Sequence, residues 1–181
     1  MSGAAPPSGL VVRRLAQAGD AEIAGLAALL VDVVDGNSSV GFTHPLDLAR
    51  AEAFWRGVAA GVERRERALF VAEDGAAGAI VGTVQLVLHL PENQPHRADV
   101  AEMLVRRSAP RRGIGAALMR GGRGRGAPTR PDAARSRHRE RRRRAPLCAP
   151  RLAALRDDSG LRLAAARRPC DTTYFYRVLA G

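Results

Sequence analysis

The sequence predicts an α/β domain, and three features indicate this class. Apolar residues recur at helical spacing in two early segments, short runs rich in β-branched residues follow, and a glycine-containing loop then opens into another helical pattern. A length of 181 residues suits one domain that buries a sizeable core. Because the chain shows neither a targeting segment nor an apolar run long enough to span a bilayer, we expect a cytoplasmic protein.

The first third of the chain predicts a strand followed by two helices. Residues 1–9 are small and contain proline, which is typical of a disordered lead-in. Leu10–Leu15 predicts a short strand. Asp20 is a favourable N-cap for a helix that ends at the turn residues 35–39, and Pro45 can begin a second helix.

Three strands and a glycine loop follow these helices. Residues 68–72, 79–90 and 97–105 carry the β-branched and apolar runs that strands favour, and residues 108–110 end the last of them. The segment 111–120 then combines a basic Gly-x-Gly loop with a helical pattern. Every local signal up to this point is consistent with a folded α/β domain.

The succession of strand, basic glycine loop and helix predicts an anion-binding site. Gly113 and Gly115 let the backbone curl so that successive N–H groups point at a phosphate, and the helix N-terminus adds partial positive charge. Arg111 and Arg112 supply full positive charge beside these groups. A Gly-x-Gly sequence alone also occurs in ordinary tight turns, so the prediction depends on its place between a strand and a helix.

These residues resemble the core of the GNAT superfamily of N-acetyltransferases. The resemblance is carried by Arg97–Val105 and then by Gly113–Ala116, and it covers residues 10–120 and 170–179. The family loop begins with Gln or Arg where this chain has Pro110, a departure that weakens the match mildly because most contacts to the diphosphate come from backbone amides. The resemblance implies a mixed, mostly antiparallel sheet flanked by helices, with acetyl-CoA as co-substrate and no metal.

The resemblance also implies roles for particular residues. In the family the strand carries a bulge whose backbone receives the thioester and pantetheine, and the loop receives the diphosphate. A backbone N–H near Leu104 would hold the developing oxyanion. Asp99 stands where the tabtoxin-resistance type of this superfamily has an acidic residue, and this makes it the candidate general base. A solvated carboxylate at a strand start fits the sequence almost equally well. The cofactor-binding positions that match are Met103, Leu104, Val105, Arg111, Arg112, Gly113, Ile114, Gly115 and Ala116.

Within the superfamily the chain looks closest to the tabtoxin-resistance type. Residues 37–42 and the Arg-Ala-Asp-Val element at 97–100 carry this likeness, which implies direct transfer from acetyl-CoA to a primary amine of a small molecule. Phe42, Trp55 and Gln85 are candidates for the acceptor pocket, although Trp55 suits the core better. The sequence leaves the oligomeric state open, a homodimer included.

Histidine and cysteine residues predict neither a metal site nor a disulfide. His44, His89 and His96 are not at ligand spacing. Cys148 and Cys170 form no Cys-x-x-Cys pair. A reducing compartment is consistent with this cysteine usage.

The segment 121–169 differs in composition from the rest of the chain. It holds 15 of the 29 basic residues and only 4 of the 18 acidic ones, so the whole net charge of +11 belongs to it. Glycine and arginine alternate over 121–126, apolar periodicity is missing, and residues 141–144 are all arginine. We therefore expect residues 121–169 to be irregular or disordered and to leave the sheet with an unpaired edge. A strand-like pattern returns over 170–179.

Two compensating changes of reading frame would explain this segment. The codons of Gly121–Gly126, read one base later, can encode Ala-Ala-Glu-Ala-Ala, which continues a helix. Ser136–His138 can likewise become Leu-Asp-Thr, and Arg151–Ala153 can become Gly-Trp, in the order that a domain of this subgroup needs. Since codon degeneracy leaves freedom at each step, the ordered set matters more than any one fragment.

The sequence thus predicts four parts: a lead-in (1–9), the N-terminal and acetyl-CoA-binding part (10–120), an aberrant Arg-, Gly- and Pro-rich segment (121–169) and a terminal strand (170–181). Three functions remain open at this point. The chain is an acetyltransferase, impaired or not by the aberrant segment; or a non-catalytic CoA-binding relic; or a nucleic-acid-binding protein that uses its arginines. No recognition module accompanies the arginines, so we expect neither a specific nucleic acid nor a membrane as partner.

Overall fold

Helices and strands follow one another in the predicted order as far as residue 122. The computed structural model describes residues 9–75, 78–93, 98–109 and 112–122, together with the backbone of three later strands. The elements in chain order are β1 (Leu10–Leu15), α1 (Asp20–Asp35), α2 (Leu48–Glu63), β2 (Arg67–Asp74), β3 (Ala79–Val87), β4 (Ala98–Val105), α3 (Ile114–Gly121), β5 (Ala134–His138), β6 (Ala153–Leu163) and β7 (Pro169–Arg177).

The described strands form one mixed sheet in the order β1-β2-β3-β4-β5-β7-β6. β4 and β5 run parallel, and every other neighbouring pair is antiparallel. Helices cover both faces of this sheet. The predicted fold class, a mixed and mostly antiparallel sheet flanked by helices, is therefore confirmed.

Two helices begin at other residues than the sequence predicts. Gly19, not Asp20, is the N-cap of α1, and its N–H donates to the carboxylate of Glu22 at 3.1 Å, which holds the first turn. Helix α2 begins after Asp47, whose carboxylate accepts a hydrogen bond from the Arg50 N–H at 2.7 Å, and Pro45 lies outside it. A side-chain cap satisfies an otherwise unpaired N–H, so it determines the start more strongly than proline does.

The two faces of the sheet carry separate apolar clusters. Side chains of β2 alternate between them: Leu69 and Val71 pack with α1 and α2, whereas Ala68, Phe70 and Ala72 pack with α3. We call these the α1/α2 face and the α3 face. Since residues directly opposite on neighbouring strands share a face, the register of the ladders assigns the paired residues of β3 and β4 to one of these two faces.

The C-terminal part of the chain contributes more regular backbone than expected. Within 121–169 the structure places β5 and β6, so the expectation of irregular structure is wrong for Ala134–His138 and Ala153–Leu163. The expected unpaired edge is also corrected, because β5 pairs with β4. The last strand ends at Arg177 rather than at Leu179. The rest of the segment, like residues 1–8, lies outside the described residues, and the four-part division stays a prediction.

Neither a membrane-spanning helix nor a cluster of metal ligands occurs in the described residues. None of the helices in these parts of the chain is long and apolar enough to cross a membrane. Within the same parts, no group of three His, Cys, Asp or Glu side chains could hold a metal ion.

Candidate functional site

A bulge interrupts β4 where the resemblance implies one. Thr83 pairs with Leu104 and Gln85 pairs with Ala101, so three steps along β4 oppose two along β3. One extra residue is thereby inserted into β4, and Glu102 takes a φ of 44°. A non-glycine residue in that region is strained, so the surrounding ladder holds the bulge in place.

The sheet opens beside this bulge. The parallel ladder between β4 and β5 covers only Ala98–Val100 opposite Ala134–Ser136. β5 continues to His138, but its last residues pair with β7 and not with β4. Residues 101–105 of β4 therefore have no ladder partner on that side among the described residues, and their backbone N–H and C=O groups can bind an extended ligand as a neighbouring strand would.

The glycine loop begins helix α3 as the sequence predicts. Gly113 is the N-cap with φ 66° and ψ 14°, a left-handed conformation that glycine adopts without strain. No side chain caps this helix, and the first helical hydrogen bond runs from the Ala117 N–H to the Gly113 carbonyl at 2.9 Å. The N–H groups of Ile114, Gly115 and Ala116 precede that bond, so they are available to an anion.

The space in front of these amides is open on one side and closed on the other. A Cβ at Gly115 would meet only the Met103 sulfur at 3.9 Å, and one at Gly113 would meet nothing within 4 Å. Behind the loop, Ile114 is 2% exposed and its Cγ2 lies against Gly82. The side chain of Ile114 therefore belongs to the core, and only its backbone can contact a ligand.

Arg112 does not extend freely from the loop. Its Nη1 donates to Oδ2 of Asp74 at 2.8 Å, which links the loop to the end of β2. Both side chains are only partly exposed, so the guanidinium lies beside the helix N-terminus without full solvation. Arg111 and Pro110, the other loop positions that the sequence analysis names, lie outside the described residues.

Helix α1 holds the other end of the same connection. The backbone N–H of Arg107 donates to Asp32 Oδ2 at 2.9 Å, and Arg107 Nε donates to Asp32 Oδ1 at 3.1 Å. Gly36 leaves room for this arginine, since a Cβ there would lie 2.5 Å from Arg107 Cδ. The segment between β4 and α3 is thus attached to α1 through Arg107 and to β2 through Arg112. The contact between Arg107 and Asp32 is not predicted from the sequence, because these residues lie 75 positions apart.

The remaining predicted cofactor residues lie along β4. Leu104 is 1% exposed and packs on the α1/α2 face, so its backbone alone can contact a ligand. Met103 and Val105 are half-buried and pack against the cluster on the α3 face. The side chains of these three residues therefore alternate between the two faces, as they do in a regular strand.

Asp99 lies on the α1/α2 face of β4, opposite Val87. Its side chain is buried to 8% exposure, so the sequence-based alternative of a well-solvated carboxylate is not what the structure shows. The carboxylate stands on the strand that carries the bulge, two positions before Ala101. Its assignment as general base stays a prediction.

A second polar group on the α1/α2 face is Gln85, which is fully buried. Arg67 Nη1 donates to Gln85 Oε1 at 2.8 Å, and Gly61 of α2 packs against the Arg67 side chain. Gln85 is a candidate from the sequence and Arg67 is not, because their contact joins residues 18 positions apart across a hairpin. The sequence feature that points to a polar contact here is a glutamine within a mostly apolar strand.

The aromatic candidates separate into core and rim. Trp55 is fully buried in the cluster on the α1/α2 face, which confirms its assignment to the core. Phe42 is half-buried and packs edge-on against Phe54, with ring centroids 5.1 Å apart. The guanidinium of Arg50 lies 5.8 Å from the Phe42 ring centroid. Phe42 therefore lies at the edge of this core.

A bulged strand that opens the sheet and leads into an uncapped helix N-terminus defines a class of proteins that bind an extended, anion-bearing co-substrate. Residues 20–122 match the family model described as the acetyltransferase (GNAT) family. Since the match covers more than half of the chain, the protein belongs to the GNAT family of acetyltransferases. Its co-substrate is accordingly acetyl-CoA, as the resemblance implies.

Solved structures share this fold at low sequence identity. A ribosomal-protein-alanine N-acetyltransferase from Brucella melitensis is 17% identical with a TM-score of 0.64, covering 93% of this chain and 99% of that one. A Salmonella typhimurium protein provisionally assigned as an acetyltransferase, solved with its cofactor acetyl-CoA, is 12% identical with a TM-score of 0.66, over 96% and 95% of the two chains. A structure provisionally assigned as a phosphinothricin N-acetyltransferase is 13% identical with a TM-score of 0.64, over 95% and 99%.

Proposed function

We propose that this chain transfers the acetyl group of acetyl-CoA to a primary amine of a small molecule. The observation that carries the proposal is the opening of the sheet at β4 residues 101–105, which leads directly into the uncapped amides of Ile114–Ala116. An extended thiol-bearing arm with an anionic end fits that combination. In the reaction the amine nitrogen bonds to the carbonyl carbon, the carbon–sulfur bond breaks, and the nitrogen loses a proton.

The residues that would hold coenzyme A come from two elements. Backbone groups of Met103, Leu104 and Val105 line the opening, and the amides that follow Gly113 would bind the diphosphate. The open space in front of Gly113 and Gly115 leaves room for that group. Arg112 stands close enough to add a charge-assisted contact if it leaves Asp74.

Asp99 is the proposed general base. Its place on the bulged strand, two positions before Ala101, supports the assignment, because a general base has to lie within hydrogen-bond reach of the amine that it deprotonates. It also lies on the face opposite α3, so an amine could approach the bulge from the side away from the diphosphate-binding loop. The acceptor and the co-substrate would then reach the same backbone from different faces of the sheet.

Replacing Asp99 tests this role. We expect Asp99→Asn to lower kcat by about 10²- to 10⁴-fold, which is the usual contribution of a general base, and to leave the affinity for coenzyme A unchanged. Thiol release with a panel of amines measures the rate, and calorimetric titration with coenzyme A measures the binding. Full activity of the variant at all pH values would exclude Asp99 as the base.

The same two measurements distinguish the proposed function from its alternatives. Thiol release that depends on an added amine supports the acetyltransferase. Coenzyme A binding without turnover by any amine would instead identify a non-catalytic relic. Salt-sensitive binding of nucleic acid without coenzyme A binding would favour the arginine-rich segment as the functional part.

Two finer assignments extend the proposal. The first is the tabtoxin-resistance subtype, for which residues 37–42 and 97–100 are the support. The second is a shifted reading frame over 121–169. The family match ends at residue 122. The strand β5, with the sequence Ala-Arg-Ser-Arg-His, occupies an interior position of the sheet where apolar residues are usual. Leu-Asp-Thr, the shifted reading of its last three codons, suits that position better.

Sequencing the coding DNA across residues 120–170 tests the frame directly. We expect the frame one base later to be free of stop codons and to encode an alternating strand pattern at the codons of β5. A stop codon or an unpatterned translation in that frame would end this assignment. It would leave the acetyltransferase assignment intact, since that depends on residues before 122.

A further inference from the structure

The side-chain amide of Gln85 is oriented by its neighbour and leaves a buried donor. Gln85 Oε1 accepts a hydrogen bond from Arg67 Nη1 at 2.8 Å. A guanidinium can only donate, so the atom that faces it must be the oxygen, and Nε2 points elsewhere. Gln85 is fully buried, and its Nε2 has no hydrogen-bond partner among the described residues.

A buried N–H donor without an acceptor is unfavourable in a protein core. A buried N–H without a partner loses its hydration and gains nothing in return, so structures rarely keep one without a reason. Thr83, two residues earlier on the same face, shows the usual solution: its hydroxyl donates to the Phe70 carbonyl at 2.9 Å. Gln85 differs from Thr83 because only one end of its amide is satisfied by protein.

The register places this donor beside the proposed general base. Gln85 is opposite Ala101, and Asp99 is opposite Val87, so Gln85 and Asp99 are diagonal neighbours on adjacent strands and share the α1/α2 face. Arg67 is opposite Val87 on the other side. Arg67 and Asp99 thus flank Val87 on either side, about two strand spacings of ~4.8 Å apart, and Gln85 stands two positions from Val87 on the strand between them.

We propose that Gln85 Nε2 donates a hydrogen bond to an oxygen of the acceptor, which is therefore an amine that also carries a carboxylate or carbonyl oxygen. This inference rests on the proposed function and names its substrate class. The ammonium end of the acceptor lies towards Asp99, and its oxygen lies towards Gln85 and the positive charge of Arg67. Arg67 is a positioning residue, since it fixes which way the amide of Gln85 faces.

Matched acceptors test the substrate class on the full chain. We would compare thiol release with L-amino acids, their primary amides and the corresponding amines that lack the carboxyl carbon. We expect kcat/KM to be at least about tenfold higher for the acceptors that retain the oxygen, the value of one hydrogen bond to a buried donor. A preference for the carboxylate over the amide identifies a contribution of the Arg67 charge, and equal rates for all three series overturn the inference.

Variants at three positions test whether Gln85 binds the acceptor. Gln85→Leu should raise the KM for the acceptor by about tenfold and leave the KM for acetyl-CoA unchanged. Thr83→Val is the matched control, since it removes a buried polar group from the same strand and face but should change neither KM. Arg67→Met should also raise the acceptor KM, and Arg67→Lys should restore it, because an ammonium can still donate to Gln85 Oε1.

The outcomes separate this inference from the proposed function. If coenzyme A binds and amines are acetylated but Gln85→Leu keeps the acceptor KM of the original chain, Nε2 holds a structural water and the inference is wrong. If no amine releases thiol, or coenzyme A does not bind, the proposed function fails and the substrate class falls with it. A melting temperature that changes in Gln85→Leu without a change in acceptor KM also counts against the inference.

Discussion

The two faces of the sheet differ in how closely they pack their helices. On one face, a Cβ at Gly82 would lie 2.7 Å from Ile114 Cγ2 and 3.1 Å from Leu118 Cδ1 of α3. On the other face, a Cβ at Gly25 of α1 would lie 3.2 Å from Ile80 Cδ1, and partly exposed ion pairs near both ends of α1 add to this apolar contact. Both contacts are therefore apolar, but α3 lies closer to the sheet.

This difference corresponds to what each face has to do. Amides bind a diphosphate only when they are held in place, so a helix that supplies them benefits from close packing, which deforms little. The proposed acceptor face carries polar groups instead, namely Gln85, Asp99 and Arg67. Two structural relatives are named for different acceptors, a ribosomal-protein alanine and phosphinothricin. A shared fold thus accompanies acceptors of different kinds.

The largest effect is expected from a methyl group placed between α3 and the sheet. In Gly82→Ala the new Cβ would also lie 3.1 Å from the Leu104 carbonyl oxygen, so α3 has to move away. We expect the free energy of unfolding to fall by about 1–3 kcal/mol, the usual cost of overpacking, and coenzyme A to bind more weakly. Urea unfolding and calorimetric titration measure the two changes.

Gly57→Ala is the matched control for this substitution. Gly57 lies on the exposed side of α2, where a Cβ would meet nothing within 4 Å. Alanine there should raise the free energy of unfolding by up to about 1 kcal/mol through helix propensity and leave coenzyme A binding unchanged. If both variants lose stability equally, close packing does not distinguish the α3 face.

A second pair of glycines separates strain from ligand binding. Gly113 and Gly78 have φ values of 66° and 61°, and both have open space where a Cβ would be. Alanine at either position should lower the free energy of unfolding by about 1 kcal/mol, the cost of a left-handed L-residue. Only Gly113→Ala should weaken coenzyme A binding, by about tenfold or more, because its methyl enters the proposed diphosphate site.

Thermal unfolding and coenzyme A titration of the two variants check this prediction. Equal losses of stability with unequal losses of affinity would place the diphosphate in front of the loop. Equal affinities in both variants would mean that the co-substrate does not approach Gly113, and the amides of α3 would lose their proposed role.

The sequence predicts the elements of this fold better than their contacts. β1 to β4 follow from alternating and β-branched runs, and the glycine loop before α3 follows from its position after a strand. The start of α2 does not, because the cap at Asp47 competes with Pro45 and only the backbone geometry decides between them. The pairing of β5 with β4 and β7 could not be predicted from the residues, since Ala134–His138 lacks an apolar pattern.

The site shows the same limit. Gly113 and Gly115 follow from a local motif, and the bulge in β4 follows from the family resemblance. Gly82 and Arg67 do not, because their importance lies in contacts with residues far along the chain. A glycine within a strand predicts only a weak strand from local propensity. Whether Gly82 lets α3 pack closely depends on which side chains of the helix contact it.

The smallest expected effect concerns the polar attachment of α1. Arg13 donates from Nη2 to Glu22 at 3.2 Å and forms a two-pronged contact with Glu73, so it joins β1, β2 and α1. The hydrogen bond from Arg13 lowers the pKa of Glu22. Contacts of Glu73, first of all its hydrogen bond, raise the pKa of Arg13. Because these side chains are partly exposed, we expect Glu22→Gln to cost less than about 1 kcal/mol at neutral pH.

Acid should abolish the contribution of the ion pair between Arg13 and Glu22. A carboxyl whose pKa is lowered on folding stabilises the protein fully above its unfolded pKa of about 4.3, and that contribution disappears as the pH falls through the lower folded value. Urea unfolding of the original chain and of Glu22→Gln should therefore differ at pH 7 and converge below about pH 3. The loss caused by Gly82→Ala should persist over the same range, since apolar overpacking does not titrate. A Glu22→Gln effect that survives in acid would mean that the lost stability does not come from the ion pair with Arg13.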